Sequence, residues 1–138
     1  MIFYQVANNL FDGENEGEDL IAINIQRSRD NGIKGYVEYR AICGQGTERA
    51  LKARTFQDLS STHDAEDIKN LEQVYDKVED IDLFAGMFTE ISEFQDSLYG
   101  PTFLCLINDQ FARLRRGDRY FYDLNGNINP GAFKIEQG

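Results

Sequence analysis

The segment that begins at Pro101 most restricts how this chain can fold. Read as a helix, it places Phe103, Leu104, Leu106, Ile107, Phe111 and Leu114 on one broad face. Pro101 suits a first helical turn, where its missing N–H is no loss. Gly117 supplies the stop. Other stretches agree. Asp64 to Val78 has an amphipathic stripe of Ile68, Leu71, Val74, Tyr75 and Val78. Asp19 to Arg29 reads as a helix with acids at its start, Arg27 and Arg29 in its last turn, and Gly32 beyond them. Its β-branched Ile21, Ile23 and Ile25 argue mildly for a strand instead.

Tyr36 to Cys43 is a short helix between Gly35 and Gly44, and Ile81 to Ile91 is a further helical stretch interrupted by Gly86. Tyr120 to Tyr122 fits a short strand. The runs Asp12 to Glu18 and Asn125 to Gly131 read as a loop and a turn region. The expected fold class is mainly α, with long irregular connections.

The chain has 138 residues, enough for one domain, and 41% of them are hydrophobic. A chain this size buries roughly two-thirds of its unfolded surface if it folds alone. The formal net charge is −10, which makes nucleic acid and anionic membrane surfaces poor partners. No stretch approaches the roughly 20 apolar residues of a membrane span. The opening "MIFYQVANNLFDGENEGED" has no basic n-region, apolar run or cleavage site, so it does not read as a signal peptide. There is no N-x-Ser/Thr sequon.

Four stretches, taken together and in order, resemble the animal haem peroxidases. They are "DLIAINIQRSRDNGIKGYVEYRAICG" from Asp19 to Gly44, "VEDIDLFAGMFTE" from Val78 to Glu90, "GPTFLCLINDQFARLRRGDRYFYD" from Gly100 to Asp123, and "NPGAFKIEQ" after it. The resemblance covers nearly the whole chain. It implies a large, mainly α-helical domain around a covalently held haem. Residues 1–138 would be part of its C-terminal portion, an internal piece truncated at both ends. The family's distal His, Gln and Arg, its proximal His and the two acids esterified to haem would lie N-terminal to this segment. No catalytic residue is therefore assigned here, and the chain alone is expected to be inactive. The implied parent is a secreted oxidoreductase that uses hydrogen peroxide and small electron donors, with a part in oxidative stress.

Within "NIQR", the resemblance gives Asn24 the hydrogen bond from the proximal His ring N–H, and Arg27 a haem propionate. Leu20, Ile23, Asn24 and Arg27 fall at i, i+3, i+4 and i+7, so one helix face would present all four. Leu20 and Ile23 would be haem-wall residues. Spacing alone favours an ordinary amphipathic helix with a surface Arg; the family match reverses that for Asn24 and Arg27. The resemblance also implies a disulfide between Cys43 and Cys105. In the chain-entropy model such a bridge, closing roughly 60 residues, stabilises by roughly 4 kcal/mol. In a reducing compartment the two would be buried thiols.

His63 is the only histidine. It matches no family haem ligand and reads as a solvated residue in the polar entry to a helix. Arg116-Gly117-Asp118 spells the integrin-recognition tripeptide, but the family pattern has Gly-Asp-Arg there for structural reasons, so integrin is not expected as a partner. The run from Asp123 to Asn127 fails as a calcium loop, because Lys134 stands where a bidentate acid is needed. No metal site is expected. Two positions depart from the family pattern: Asn31 where His is usual, and Met87 where a second Gly is usual. The rival reading is a short, non-catalytic peroxidase-like protein that serves in binding or adhesion.

Overall fold

A computed structural model describes residues 7, 17–47, 52–93, 97–122 and 131. The chain divides into two compact units, Met1–Phe103 and Leu104–Gly138, with the division inside the last helix. Among the described residues there are five α-helices: α1 Leu20–Asp30, α2 Tyr36–Cys43, α3 Ala65–Val74, α4 Leu83–Phe88 and α5 Pro101–Gly117. Two 3-10 turns, Phe56–Leu59 and Val78–Asp80, lie between them. The expected mainly helical class with long connections is what the chain forms.

Capping side chains fix the helix starts. The Asp19 carboxylate accepts from the N–H groups of Ile21 and Ala22 at 2.9 and 3.1 Å, and Asp64 accepts from Asp67 N at 2.9 Å. The Phe56–Leu59 turn has a reciprocal cap between Thr55 and Asp58. At the end of α1, Gly32 takes a left-handed φ of 65°, which a side chain would strain.

In the first unit the core is Tyr36, Val37, Ala53, Leu59, Ile68, Leu71, Val78 and Ile81, with Phe56, Tyr75, Leu83 and Ala85 packed against it. Helix α2 lies against α4 and the Val78–Asp80 turn; α3 lies against the Phe56–Leu59 turn; α1 lies against α4. The Tyr36 N–H donates to Ile81 O at 2.8 Å, joining the start of α2 to the chain entering α4. Two glycines allow close approach. A Cβ on Gly86 would sit 2.2 Å from Tyr36 Cγ, and one on Gly100 would sit 2.2 Å from Glu90 Cβ. Aromatic rings extend from α4: Phe88 lies 5.2 Å from Phe103, and Phe103 lies 4.3 Å from Tyr99, between centroids.

Three expectations need correction. The helix from Asp64 was expected to run to Val78, but it stops at Val74, which is 75% exposed. Tyr75 is extended, and its hydroxyl donates to Asp82 Oδ2 at 2.9 Å; Val78 reaches the core from its own 3-10 turn. The stripe therefore belongs to two elements that bury the same core. Gly86 does not interrupt its helix but lies inside α4, where it admits the Tyr36 ring. Tyr120 to Tyr122 is a turn and not a strand, because Asp118 takes both local donors: Tyr120 N on Oδ1 at 2.8 Å and Phe121 N on its carbonyl at 3.1 Å.

In the second unit, α5 carries an Asp109–Arg113 ion pair at 2.6 Å, one turn apart. Leu104, Leu106 and Ile107 are half-buried, while Phe111 and Leu114 are exposed. The expected loop at Asp12 and turn region at Asn125 lie outside the described residues, apart from Gly17, Glu18 and Gly131. No helix among the described residues is long and apolar enough to cross a membrane. Neither cysteine is free: Cys43 and Cys105 are both disulfide-bonded.

Gly86→Ala is expected to lower stability by about 2–3 kcal/mol, the usual cost of overpacking a filled site. The urea midpoint should fall accordingly, and a variant as stable as the parent would show that α4 can move off Tyr36.

Candidate functional site

Helix α1 brings Leu20, Ile23, Asn24 and Arg27 onto one face, as their spacing requires. Leu20, Ile23 and Asn24 are half-buried and Arg27 is exposed. Ile23 and Arg27 line an open depression of about 420 Å³ with Ala22, Gln26 and Asp30; Leu20 and Asn24 lie outside it. Among the described residues, the Asn24 side-chain amide has no hydrogen-bond partner and the Arg27 guanidinium pairs with no carboxylate. An amide and a cation without partners, beside two aliphatic side chains, can take a group that offers both a donor and an anion.

No residue of α1 is fully buried. Its orientation depends on a tether at its last turn. Arg29 grips Asp82 with both prongs, Nε to Oδ1 at 3.0 Å and Nη2 to Oδ2 at 2.6 Å, while the Tyr75 hydroxyl also donates to Oδ2. The Arg29 bond holds the Asp82 carboxyl below the usual carboxylate range. Sequence reading missed this clasp, because nothing in the residue spacing couples positions 29 and 82.

His63 was expected to be solvated and is instead 2% exposed. Its Nε2 lies 3.1 Å from the Gly86 carbonyl, and its Nδ1 3.0 Å from Thr62 Oγ1. A carbonyl only accepts, so Nε2 carries the proton; Nδ1 faces the Thr62 hydroxyl, whose one proton is shared with the Leu59 carbonyl at 3.2 Å. The ring stands edge-on to Tyr36, 5.4 Å between centroids. The chain's polarity around His63 misled the sequence reading: Thr62 is buried with its hydroxyl against the imidazole, and the exposed Ser61 still bonds Arg40. Both ring nitrogens are thus engaged within the fold.

The network extends further. Arg40 Nε donates to Thr62 Oγ1 at 3.3 Å, and its Nη2 donates to Ser61 Oγ and Asp58 O at 3.0 and 3.2 Å. On the other side of Tyr36, three donors converge on the Glu90 carboxyl: the Tyr36 hydroxyl at 2.5 Å, Thr102 Oγ1 at 2.5 Å and Thr102 N at 2.8 Å. Burial, with Glu90 beside it, pushes the Tyr36 phenol well above its ordinary range. Burial pushes the His63 imidazole down, and the nearby Arg40 cation adds to the effect.

The chain matches the animal haem peroxidase family over residues 1–138. It is 42% identical over 125 residues to chorion peroxidase of Drosophila melanogaster, covering 90% of this chain and 14% of that protein. It is 41% identical over 120 residues to a human peroxidasin homologue, covering 86% of this chain and 7% of that protein. Its fold is similar to that of peroxidase A from Dictyostelium discoideum, with a TM-score of 0.69 at 33% identity, over 91% of this chain and 24% of that one. The chain belongs to the animal haem peroxidase family.

Membership implies haem in the complete protein. The family frame also gives meaning to the two departures. Asn31 donates from Nδ2 to Arg27 O at 2.8 Å, so it caps the helix that carries Asn24 and Arg27. Met87 is half-buried, and the close contact with Tyr36 is borne by Gly86 alone. In the Arg116-Gly117-Asp118 tripeptide, Gly117 ends α5, Asp118 N bonds Leu114 O at 3.0 Å, and the Asp118 carboxylate holds Tyr120 N. Among the described residues no group of three His, Cys, Asp or Glu side chains could hold a metal ion.

Two outcomes follow for stability. Asp82→Asn should cost about 1 kcal/mol at neutral pH, a charged hydrogen bond discounted for the exposure of Arg29; an unchanged thermal midpoint would show that α1 is held otherwise. His63 has a depressed folded pKa, so the folded state binds fewer protons than the unfolded chain below the ordinary histidine pKa of about 6.5. Its contribution is complete above that value and lost as pH falls through the folded pKa. Urea midpoints between pH 7 and 5 should therefore decline, and His63→Gln should flatten that decline. Asp82 acts lower, below the ordinary carboxylate range near 3.8.

Proposed function

We propose that this chain is the C-terminal, proximal-side part of the catalytic domain of a secreted haem peroxidase, one that oxidises small electron donors with hydrogen peroxide. The observation that carries the reading is the α1 face: an Asn24 amide and an Arg27 guanidinium that have no partner among the described residues, four and seven residues after Leu20, in a chain of this family. The small share of each relative that it spans supports a longer parent.

The residues present fit one edge of a haem. Arg27 has the planar fork suited to a propionate, and its charge is not spent on any carboxylate among the described residues. The Asn24 side-chain oxygen is free to accept the ring N–H of a proximal imidazole, which fixes that ring's tautomer and orientation. Leu20 and Ile23 would cover the apolar edge. His63, the one imidazole of the chain, is buried and doubly bonded, so the axial imidazole is assigned to the longer parent. When bound, haem supplies the iron at which hydrogen peroxide is reduced. This chain's part is to hold and orient. Both cysteines being bonded is in keeping with a Cys43–Cys105 bridge and an oxidising compartment. The acidic balance disfavours nucleic acid and anionic lipid.

An immunoblot of source tissue with an antibody to this segment should show a band several times heavier than the chain itself. A single band at the chain's own mass would end the peroxidase reading. In the complete haem-loaded protein, Asn24→Ala should lower the ferrous iron–imidazole stretching frequency, and activity should fall about ten- to a hundred-fold. An unmoved frequency would take Asn24 out of the proximal hydrogen bond. The isolated chain with added hemin should show no peroxidase turnover, and turnover abolished by His63→Ala would overturn that.

A further inference from the structure

Arg40 is a cation only 3% exposed, and no carboxylate among the described residues pairs with it. A guanidinium cannot shed its proton to escape burial, and a buried charge without a counter-ion is costly. Three of its five N–H groups are accounted for by Thr62, Ser61 and Asp58 O. The two on Nη1 have no acceptor among the described residues, and no fully buried side-chain nitrogen there lacks a partner, so they are not sealed from solvent. Arg40 lines a groove of about 900 Å³.

The groove's chemistry suits an anion. Beside Arg40 stand Lys52 and Arg54, whose guanidinium is unpaired among the described residues, and the hydroxyls of Ser60 and Ser61. Ser61 accepts from Arg40, which leaves its own proton to give. Two acids also line the groove. Asp58 is occupied, because its Oδ2 accepts from Arg54 N and Thr55 N at 2.9 and 3.0 Å. Glu79 is the other. Lys52 is paired with Glu38 at 2.5 Å, outside the groove. With Lys52 met by Glu38 and Asp58 held by backbone N–H groups, Arg40 and Arg54 are the cations left to face a ligand.

We propose that this groove binds a small oxyanion, with the Arg40 Nη1 edge at its floor and Ser60, Ser61 and Arg54 completing the contacts. A carboxylate, sulfate or phosphate group offers the pair of oxygens that a guanidinium edge matches. The volume is in the range of small-molecule sites and exceeds what a bare ion fills, so the anionic group would be carried on a small organic molecule. The site is independent of the haem reading and stands or falls without it.

The single histidine makes a reporter. His63 shares the Thr62 hydroxyl with Arg40, so a change at Arg40 reaches its ring. Proton NMR of the His63 ring and the Ser60 and Ser61 amides would be followed while sodium sulfate, or separately sodium acetate, replaces sodium chloride at constant ionic strength. A saturable shift at roughly millimolar concentration is expected, together with an upward move of the His63 titration midpoint as the Arg40 charge is compensated. Arg54→Ala and Ser61→Ala, both at exposed positions, should each weaken the binding about threefold to tenfold. Sulfate binding without acetate binding would assign the site to tetrahedral anions, and the reverse to carboxylates. Shifts that are linear in concentration, equal in chloride, or unchanged in both variants would overturn the proposal. Arg40→Lys should abolish binding; if it unfolds the chain, the two exposed variants still decide.

Discussion

The position of the Tyr36 ring sets most of the first unit. One edge lies where a Cβ on Gly86 would have to be, and the hydroxyl ends on the Glu90 carboxyl at 2.5 Å. The backbone N–H of the same residue ties α2 to Ile81. A single side chain thus fixes the distance between α2 and α4, the tilt of the chain at Glu90 and, through Thr102, the entry to α5. Its hydroxyl can be buried only because Glu90 accepts it, and Glu90 can be buried only because three donors surround it.

The helix proposed to face haem is held by a different kind of force. Its aliphatic residues Leu20, Ile21, Ile23 and Ile25 are only half-buried, and polar contacts add to its anchoring: Asp19 at one end and the Arg29–Asp82–Tyr75 clasp at the other. Asp82 also precedes α4, the helix packed on Tyr36. The two arrangements are therefore in series: the buried ring places α4, and α4 places the carboxylate that holds α1. Asn31 adds a local contribution by closing the last turn with its own amide.

Much of this was legible in the sequence. The helix starts at Asp19 and Asp64 follow from side chains that cap their own backbone, and α2 and α5 end at glycines, all local effects. The four-residue face on α1 follows from periodicity alone. Other features depend on partners distant in the chain. The break after Val74 has no glycine or proline to mark it, because Tyr75 leaves the helix to reach Asp82, not because it is a poor helix former. His63 looked wet beside serines and aspartates, yet it is buried, with the Thr62 hydroxyl on its ring and Arg40 bonded to Thr62 and Ser61. Aromatic residues at Tyr120 to Tyr122 suggested a strand, and Asp118 captures their amides first. In each case a polar side chain found a partner that one-dimensional patterns do not contain.

The contacts at Gly86 and Gly100 bear on how such a sequence can change over generations. Each glycine is confronted at 2.2 Å by the side chain of a partner, Tyr36 in one case and Glu90 in the other, and those two partners are bonded to each other. No member of this foursome can be exchanged singly without a clash or an orphaned polar atom. Lineages that lose one should lose the others in short order. Positions 36, 86, 90 and 100 should accordingly vary as a block across relatives, and the block's integrity would mark which copies still maintain the fold.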